Sequence, residues 1–263
     1  MSSVIVIKRN TLEIWRDVIF ALFAREIRTG FNDKLGLSWA VVNPVAFIFV
    51  LSYLRSLIAG SDTHSLETFT FMAIGILFIQ SFLQTLTKSA LSIKRNKALF
   101  AFRQVQPISA VIASSIFEFL VKVISLLGIV VIMFFFGIEV YINDALLFIA
   151  CFTFLLILAS SLGLLFGVAE LFISEISKVR ELFSRPLFFI SGTFFSLQDI
   201  PTEYWMYLTW NPILHAIELA RYSVSTQYGD YGVSFGFFSG AMLIVLFSSI
   251  SVYFVFWKQA ISR

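Results

Sequence analysis

The sequence predicts an all-α integral membrane protein with six transmembrane helices, an N-terminal amphipathic interface helix and a short re-entrant helical element before the last span. Three observations predict it. The 263 residues are 59% hydrophobic and only 13% charged, with 32 phenylalanines and a mean hydropathy of +0.90, whereas soluble chains carry roughly 25% charged residues. The apolar residues gather into six runs, most of them near the roughly 20 residues that cross a bilayer as a helix. Lysine and arginine gather in alternate gaps between those runs. A soluble enzyme of this size could not cover so much apolar surface, and a disordered chain would not have it.

The elements follow in chain order. No short apolar run ends in a small-residue cleavage site near the start, so no cleaved signal peptide is expected. In residues 11–29 (TLEIWRDVIFALFAREIRT), Leu12, Trp15, Ile19, Leu22, Phe23 and Ile27 recur at helical spacing, with most charges elsewhere. This is the pattern of a helix lying in the membrane interface. The six spans fall at Trp39–Ile58, Phe69–Thr87, Ile112–Phe136, Ala145–Ala169, Leu182–Leu197 and Phe235–Trp257, the fifth being short. The connecting segments are brief and no internal repeat of 20–50 residues occurs, so the chain reads as one transmembrane domain, 1–263. Sixteen lysines and arginines fall on one side of the six spans, while the other side has only Arg221. That asymmetry predicts both termini in the cytoplasm.

Few residues carry obvious chemistry. No Gly-Lys dipeptide occurs, so the usual phosphate-cradling loop is missing and the energy for any transport must come from a partner or a gradient. Ser234 lies in a Gly-x-Ser-x-Gly run, Gly232 to Gly236, but that run opens an apolar span rather than a strand-to-helix turn, so no nucleophile is expected. Cys151 is a packed core thiol by context, and His64 and His215 stand too far apart for a metal site. Glu118 and Lys122, one helical turn apart in the third span, can pair with each other or snorkel. So few ionisable groups weaken a proton-relay mechanism.

Two polar segments stand out. The cytoplasmic stretch 92–107, SIKRNKALFAFRQVQP, sets Leu99, Phe100 and Phe102 among Lys94, Arg95, Lys97 and Arg103. A basic segment with an apolar ridge suits either a groove on a partner protein or an anionic membrane surface. The outer stretch 198–234 carries Pro201 and Pro212 where two short helices would start, and crowds Tyr204, Trp205, Tyr207 and Trp210 into about two turns. Such rings suit the membrane interface or a platform for sugars.

Local sequence then narrows the function. The segments FAREIRTGFNDKLGLSWAVVNP (23–44), NKALFAFRQVQPI (96–108), RPLFFISGTFFSLQDIPTEYWMYLTWNP (185–212) and HAIELAR (215–221) resemble the capsular polysaccharide export permeases of the ABC-2 class. Most specific is Trp-Asn-Pro-x-x-His-x-x-Glu-x-x-Arg, from Trp210 to Arg221.

The resemblance implies a homodimer paired with two copies of a separate cytoplasmic ABC ATPase, which binds the ATP and Mg. This chain would bind no cofactor, metal or nucleic acid and perform no catalysis. The implied cargo is a lipid-linked acidic polysaccharide, moved across a bacterial inner membrane towards a periplasmic co-polymerase-type adaptor and an outer-membrane channel. It also implies a coupling region at 94–106, with Lys94, Arg95, Asn96, Leu99, Phe100, Phe102 and Arg103 meeting the ATPase. The re-entrant element, 199–222, becomes a periplasmic gate with Tyr204, Trp205, Tyr207, Trp210, Asn211, Pro212, His215, Glu218 and Arg221. Arg25, Arg28, Lys34 and Trp39 are expected at the cytoplasmic interface, against a lipid headgroup or the cargo's acidic end, and the first and fifth spans are expected to line the path. Alternatives are export of an O-antigen or teichoic acid, or a scaffold for a polysaccharide synthase.

Overall fold

The computed structural model describes residues 10–31, 36–59, 62–102, 104–139 and 141–261. Eight α-helices follow one another among these residues: α1 (Thr11–Phe31), α2 (Gly36–Ala59), α3 (Thr68–Arg95), α4 (Pro107–Phe135), α5 (Ala145–Phe172), α6 (Ile176–Ile190), α7 (Pro212–Val224) and α8 (Phe235–Ile261). A two-residue hairpin, β1 (Asp62–Thr63) with β2 (Leu66–Glu67), joins α2 to α3. Local chemistry sets several starts. Pro107 and Pro212 occupy first-turn positions where a missing N–H costs nothing, and the Asp144 side chain accepts the Leu147 N–H at 2.9 Å to cap α5.

α2, α3, α4, α5 and α8 are long and apolar enough to cross a membrane. α3 is the hub, contacting α2, α4, α5, α6 and α7. It can lie very close to α5, because a Cβ on Gly163 would come within 2.5 Å of the Ser89 Cβ. Small residues facing each other give tight packing inside a membrane, where the hydrophobic effect no longer drives helices together. The lining of the core is Phe71, Phe78 and Ile79 from α3, Leu155 and Ala159 from α5, and Ile217 from α7. α2, α4 and α8 instead turn Val50, Leu127 and Phe247 outward, as surfaces that meet lipid or another subunit do.

The stretch expected as the fifth span differs. The helix there, α6, begins at Ile176 rather than Leu182 and stops at Ile190, well before Leu197. It has 15 residues, about 22 Å at the α-helical rise, which falls short of the roughly 30 Å hydrocarbon core. The stop has a local cause. Gly192 takes a left-handed φ of +74°, which glycine alone adopts without strain, and the chain reverses there.

α3 also differs from expectation, running on from Thr87 to Arg95. From Thr68 to Ile79 it is buried on every side. From Gln80 onward one stripe, Gln80, Leu83, Gln84, Thr87, Lys88 and Leu91, stays partly open.

Candidate functional site

At its C-terminal end, α3 finishes on Asn96. Its backbone N–H reaches the Ser92 carbonyl at 3.1 Å and its side-chain Nδ2 donates to the same oxygen at 2.7 Å. The chain turns through a 3₁₀ helix, Lys97–Ala101, before α4 begins. Within this turn the two phenylalanines part company. Phe100 is 7% exposed and packs with Leu22, Ile93, Val111, Leu164 and Tyr253, whereas Phe102 is 65% exposed. Leu99 packs at the edge of that cluster, and Lys94 and Arg95 end α3 on its exposed side.

α1 lies across this turn. Its Leu22 enters the Phe100 cluster, while Leu12 and Phe20 face outward, as an interface helix requires. Two polar contacts fasten it: Arg25 donates to Asn96 Oδ1, and Arg95 meets Glu26 at 2.9 Å. Arg25, expected against a headgroup, is thus directed into the turn expected to couple to the ATPase, whereas Arg28 remains exposed. Lys34, Arg103 and the Trp39 side chain lie outside the described residues.

The opposite end of the bundle is built around Arg221, which is fully buried. Its Nη1 donates to Gly192 O at 2.8 Å, Phe195 O at 3.2 Å and Glu218 Oε1 at 2.8 Å. Nη2 donates to Thr193 O at 3.1 Å and Phe71 O at 3.2 Å, and the guanidinium lies 3.5 Å over the Phe71 ring. One side chain therefore ties the 191–196 reversal to both α3 and α7. Glu218 completes the network. The Tyr228 and Ser196 hydroxyls, 2.7 Å apart, both reach its Oε2, at 2.9 and 3.2 Å. A Cβ on Gly75 would sit 2.6 Å from Arg221 Nη2 and from Thr193 O, so the glycine makes room for the reversal against α3.

Asn211 caps α7 by accepting the Ile213 N–H at 3.0 Å, and its amide donates to Ser191 Oγ at 3.0 Å. His215 Nδ1 accepts the Ser234 N–H at 2.9 Å, which leaves Nε2–H to donate to Thr209 O at 2.7 Å. Burial holds its pKa below the usual histidine range, against the opposing pull of the Thr209 carbonyl. The Ser234 hydroxyl accepts the Phe237 N–H at 3.3 Å in the first turn of α8, the bond of a helix-starting serine. His64 lies 2.6 Å from Asp199, so the hairpin is tied in as well.

The rings divide. Trp205 is half-buried, its indole donating to Ile200 O at 2.8 Å, while Tyr204, Tyr207 and Trp210 are exposed. Two of the nine residues expected at the gate, Asn211 and Pro212, start α7. Three more, His215, Glu218 and Arg221, lie one turn apart along one α7 face and act as its buried frame.

Residues 4–225, a stretch that takes in α1 to α7, are matched by the model of the ABC-2 type transporter family. The chain belongs to that family. Among its relatives, the polysialic acid transport protein KpsM of Escherichia coli is 32% identical over 93% of this chain and 95% of that protein. The capsule polysaccharide export inner-membrane protein BexB of Haemophilus influenzae is 24% identical over 86% of this chain and 85% of its own. CtrC of Neisseria meningitidis, with the same description, is 23% identical over 81% and 80%. As an ABC-2 permease, the chain is a multi-pass transport subunit of an ABC system.

One polar cluster of this permease escaped the sequence. Glu118 does not close on Lys122 as the spacing suggests. It is fully buried on α4 and meets Lys88 of α3 at 2.6 Å, while Lys122 donates to Gln84, also on α3. Gln80, Gln84 and Lys88 recur every four residues within an apolar run, and that signal was available. A second buried pair, Arg180 with Glu170 at 3.0 Å, holds the start of α6 to the end of α5.

Proposed function

We propose that this chain is the permease of an exporter that moves lipid-linked acidic capsular polysaccharide across the bacterial inner membrane. Two copies pair with two cytoplasmic ABC ATPases that bind the ATP and Mg. The polymer passes to a periplasmic co-polymerase-type adaptor and an outer-membrane channel. The observation that carries this is the extent of likeness to KpsM, which takes in the cytoplasmic turn and the re-entrant element alike.

The geometry supports a division of labour. Residues 94–106 receive the ATPase, with exposed Phe102 and the basic Lys94, Arg95 and Arg103 as the contact. Closure of the ATPase pushes on this turn, and the Arg25–Asn96 and Arg95–Glu26 contacts carry the push into α1 as a rigid-body shift. Arg28, Lys34 and Trp39 receive the acidic lipid end of the cargo. Exposed Tyr204, Tyr207 and Trp210 close the outer end between strokes and offer flat faces on which sugars stack and leave, with half-buried Trp205 beneath them. α2 and α6 line the path, and both termini lie in the cytoplasm.

The test is the position of the polymer when the permease gene is removed from its native cell. Antibody against the polysaccharide should label permeabilised bacteria and leave intact ones dark. Polymer still on the surface would refute the proposal. A hydrolysis-dead ATPase should give the same trapping, which a synthase scaffold would not.

A further inference from the structure

α3 changes character at Gln80, about 18 Å along from its outer end at the helical rise. Before that point other elements cover every face, with the Arg221-bound reversal against Gly75. Beyond it, the open stripe carries Gln80, Gln84, Thr87 and Lys88, four polar side chains in a stretch long and apolar enough to span. At that depth polar groups face either protein or a water-filled cavity, because hydrocarbon satisfies none of their hydrogen bonds.

The stripe is backed by an excess of positive charge. Lys88 pairs with Glu118 while Lys122 donates to Gln84, so two ammonium groups stand against one carboxylate in this part of the α3–α4 seam. The Lys88 side chain is 40% exposed although its ammonium touches Glu118. Gln80 Oε1 and Glu118 Oε2 are buried without a hydrogen-bond partner, so the seam has unused acceptors. Amide and hydroxyl groups in a row, with two ammonium groups behind them, match a ligand that is rich in hydroxyls and anionic.

We propose that the open stripe of α3 is a binding slot for the anionic sugar units of the cargo, entered from the cytoplasmic side and stopped at its outer end where Ala73, Ile76 and Leu77, which continue the same face, are buried. Gln80, Gln84 and Thr87 exchange hydrogen bonds with sugar hydroxyls, and Lys88 and Lys122 offset a carboxylate or phosphate. The slot rests on the polysaccharide function for its ligand, and adds a floor to a path otherwise assigned to α2 and α6.

Cysteine accessibility tests it, and the chain suits the method because its one native thiol, Cys151, is buried. In a Cys151→Ser background, Gln80→Cys, Gln84→Cys and Thr87→Cys are compared with Phe82→Cys and Leu86→Cys on the buried faces of α3. Inverted vesicles carrying the permease with its ATPase are treated with a charged methanethiosulfonate. The three stripe cysteines should react about tenfold or more faster than the two buried ones, since thiol modification follows exposure. Oligogalacturonate should slow that reaction while a dextran oligomer of equal length does not, and Lys122→Gln should abolish the protection but not the accessibility. Equal rates at all five positions, or equal protection by both sugars, would overturn the slot. Unprotected cysteines in a permease whose deletion still traps polymer would remove this site and leave polysaccharide export standing.

Discussion

At one end of the bundle, one guanidinium gathers four backbone carbonyls and a carboxylate, so the reversal, α3 and α7 share a single hub in Arg221. At the other end, proposed to be cytoplasmic, Phe100 sits among the apolar side chains of α1, α3, α4, α5 and α8, and Arg25–Asn96 and Arg95–Glu26 are polar contacts between α1 and the end of α3. Hydrogen bonds are directional and lose most of their strength when misaligned, so the Arg221 network favours one arrangement. Packed apolar surfaces carry no such penalty for the small sliding that shear motions use. The difference teaches where this permease can move: the end proposed to face the ATPase can shift as a body, and the end built on Arg221 is pinned.

Breaking the hub should have the largest effect. Arg221→Met leaves Glu218 buried and charged without its partner and frees the carbonyls of the reversal, a change that costs about 3–5 kcal/mol when a buried pair loses one member. Thermal unfolding of the permease in detergent should show a large loss, and membrane levels should fall. Arg221→Lys should recover only a fraction, because an ammonium cannot span both Phe71 and the reversal with a planar fork. Wild-type stability in Arg221→Met would mean that the outer end is not pinned in the way proposed.

The two phenylalanines of the turn sharpen the comparison from the other side. Phe100→Asp buries a charge in the cytoplasmic cluster and removes a large side chain, which typically costs 3–5 kcal/mol or more, so export is lost together with protein. Phe102→Asp changes an exposed position and should abolish export while the permease level, read by immunoblot of membranes, stays unchanged. Normal export in Phe102→Asp would remove the docking assignment from this turn.

How much of this was visible beforehand depended on the range of the interaction concerned. The apolar runs of α2, α4, α5 and α8 follow from local composition, because crossing a membrane is a demand on each segment alone. The end of α6 was not visible, since Gly192 looks like any glycine in an apolar run and the reversal there is held by Arg221, 29 residues later. The Trp210–Arg221 run was recognisable, but its role was not. His215, Glu218 and Arg221 suggest a polar gate by type; helical spacing reports the Glu218–Arg221 pair, but their other partners are backbone carbonyls, the Ser234 N–H and the Ser196 and Tyr228 hydroxyls, which no spacing rule reports. For Glu118 and Lys122 the spacing left pairing and snorkelling both open, and the contacts proved to be with α3, because helical spacing says which residues can meet along one helix and the closer partner came from another.

The smallest effect belongs to the salt bridge between α1 and the turn, and it separates stability from coupling. Arg95 is half exposed, while Glu26 is largely covered. An ion pair with one solvated member contributes about 1 kcal/mol or less, so Arg95→Gln and Glu26→Gln should each leave the unfolding midpoint nearly unchanged. If the pair passes the ATPase stroke into α1, each single variant should still slow export several-fold at normal protein level. The double variant should be no worse than either single one, because the contact can be lost only once. The charge-reversed pair, Arg95→Glu with Glu26→Arg, should restore part of the rate. Additive losses in the double variant would show that the two residues act separately, with Arg95 serving the ATPase contact alone, and the pinned outer end would then face a turn that moves without carrying α1 with it.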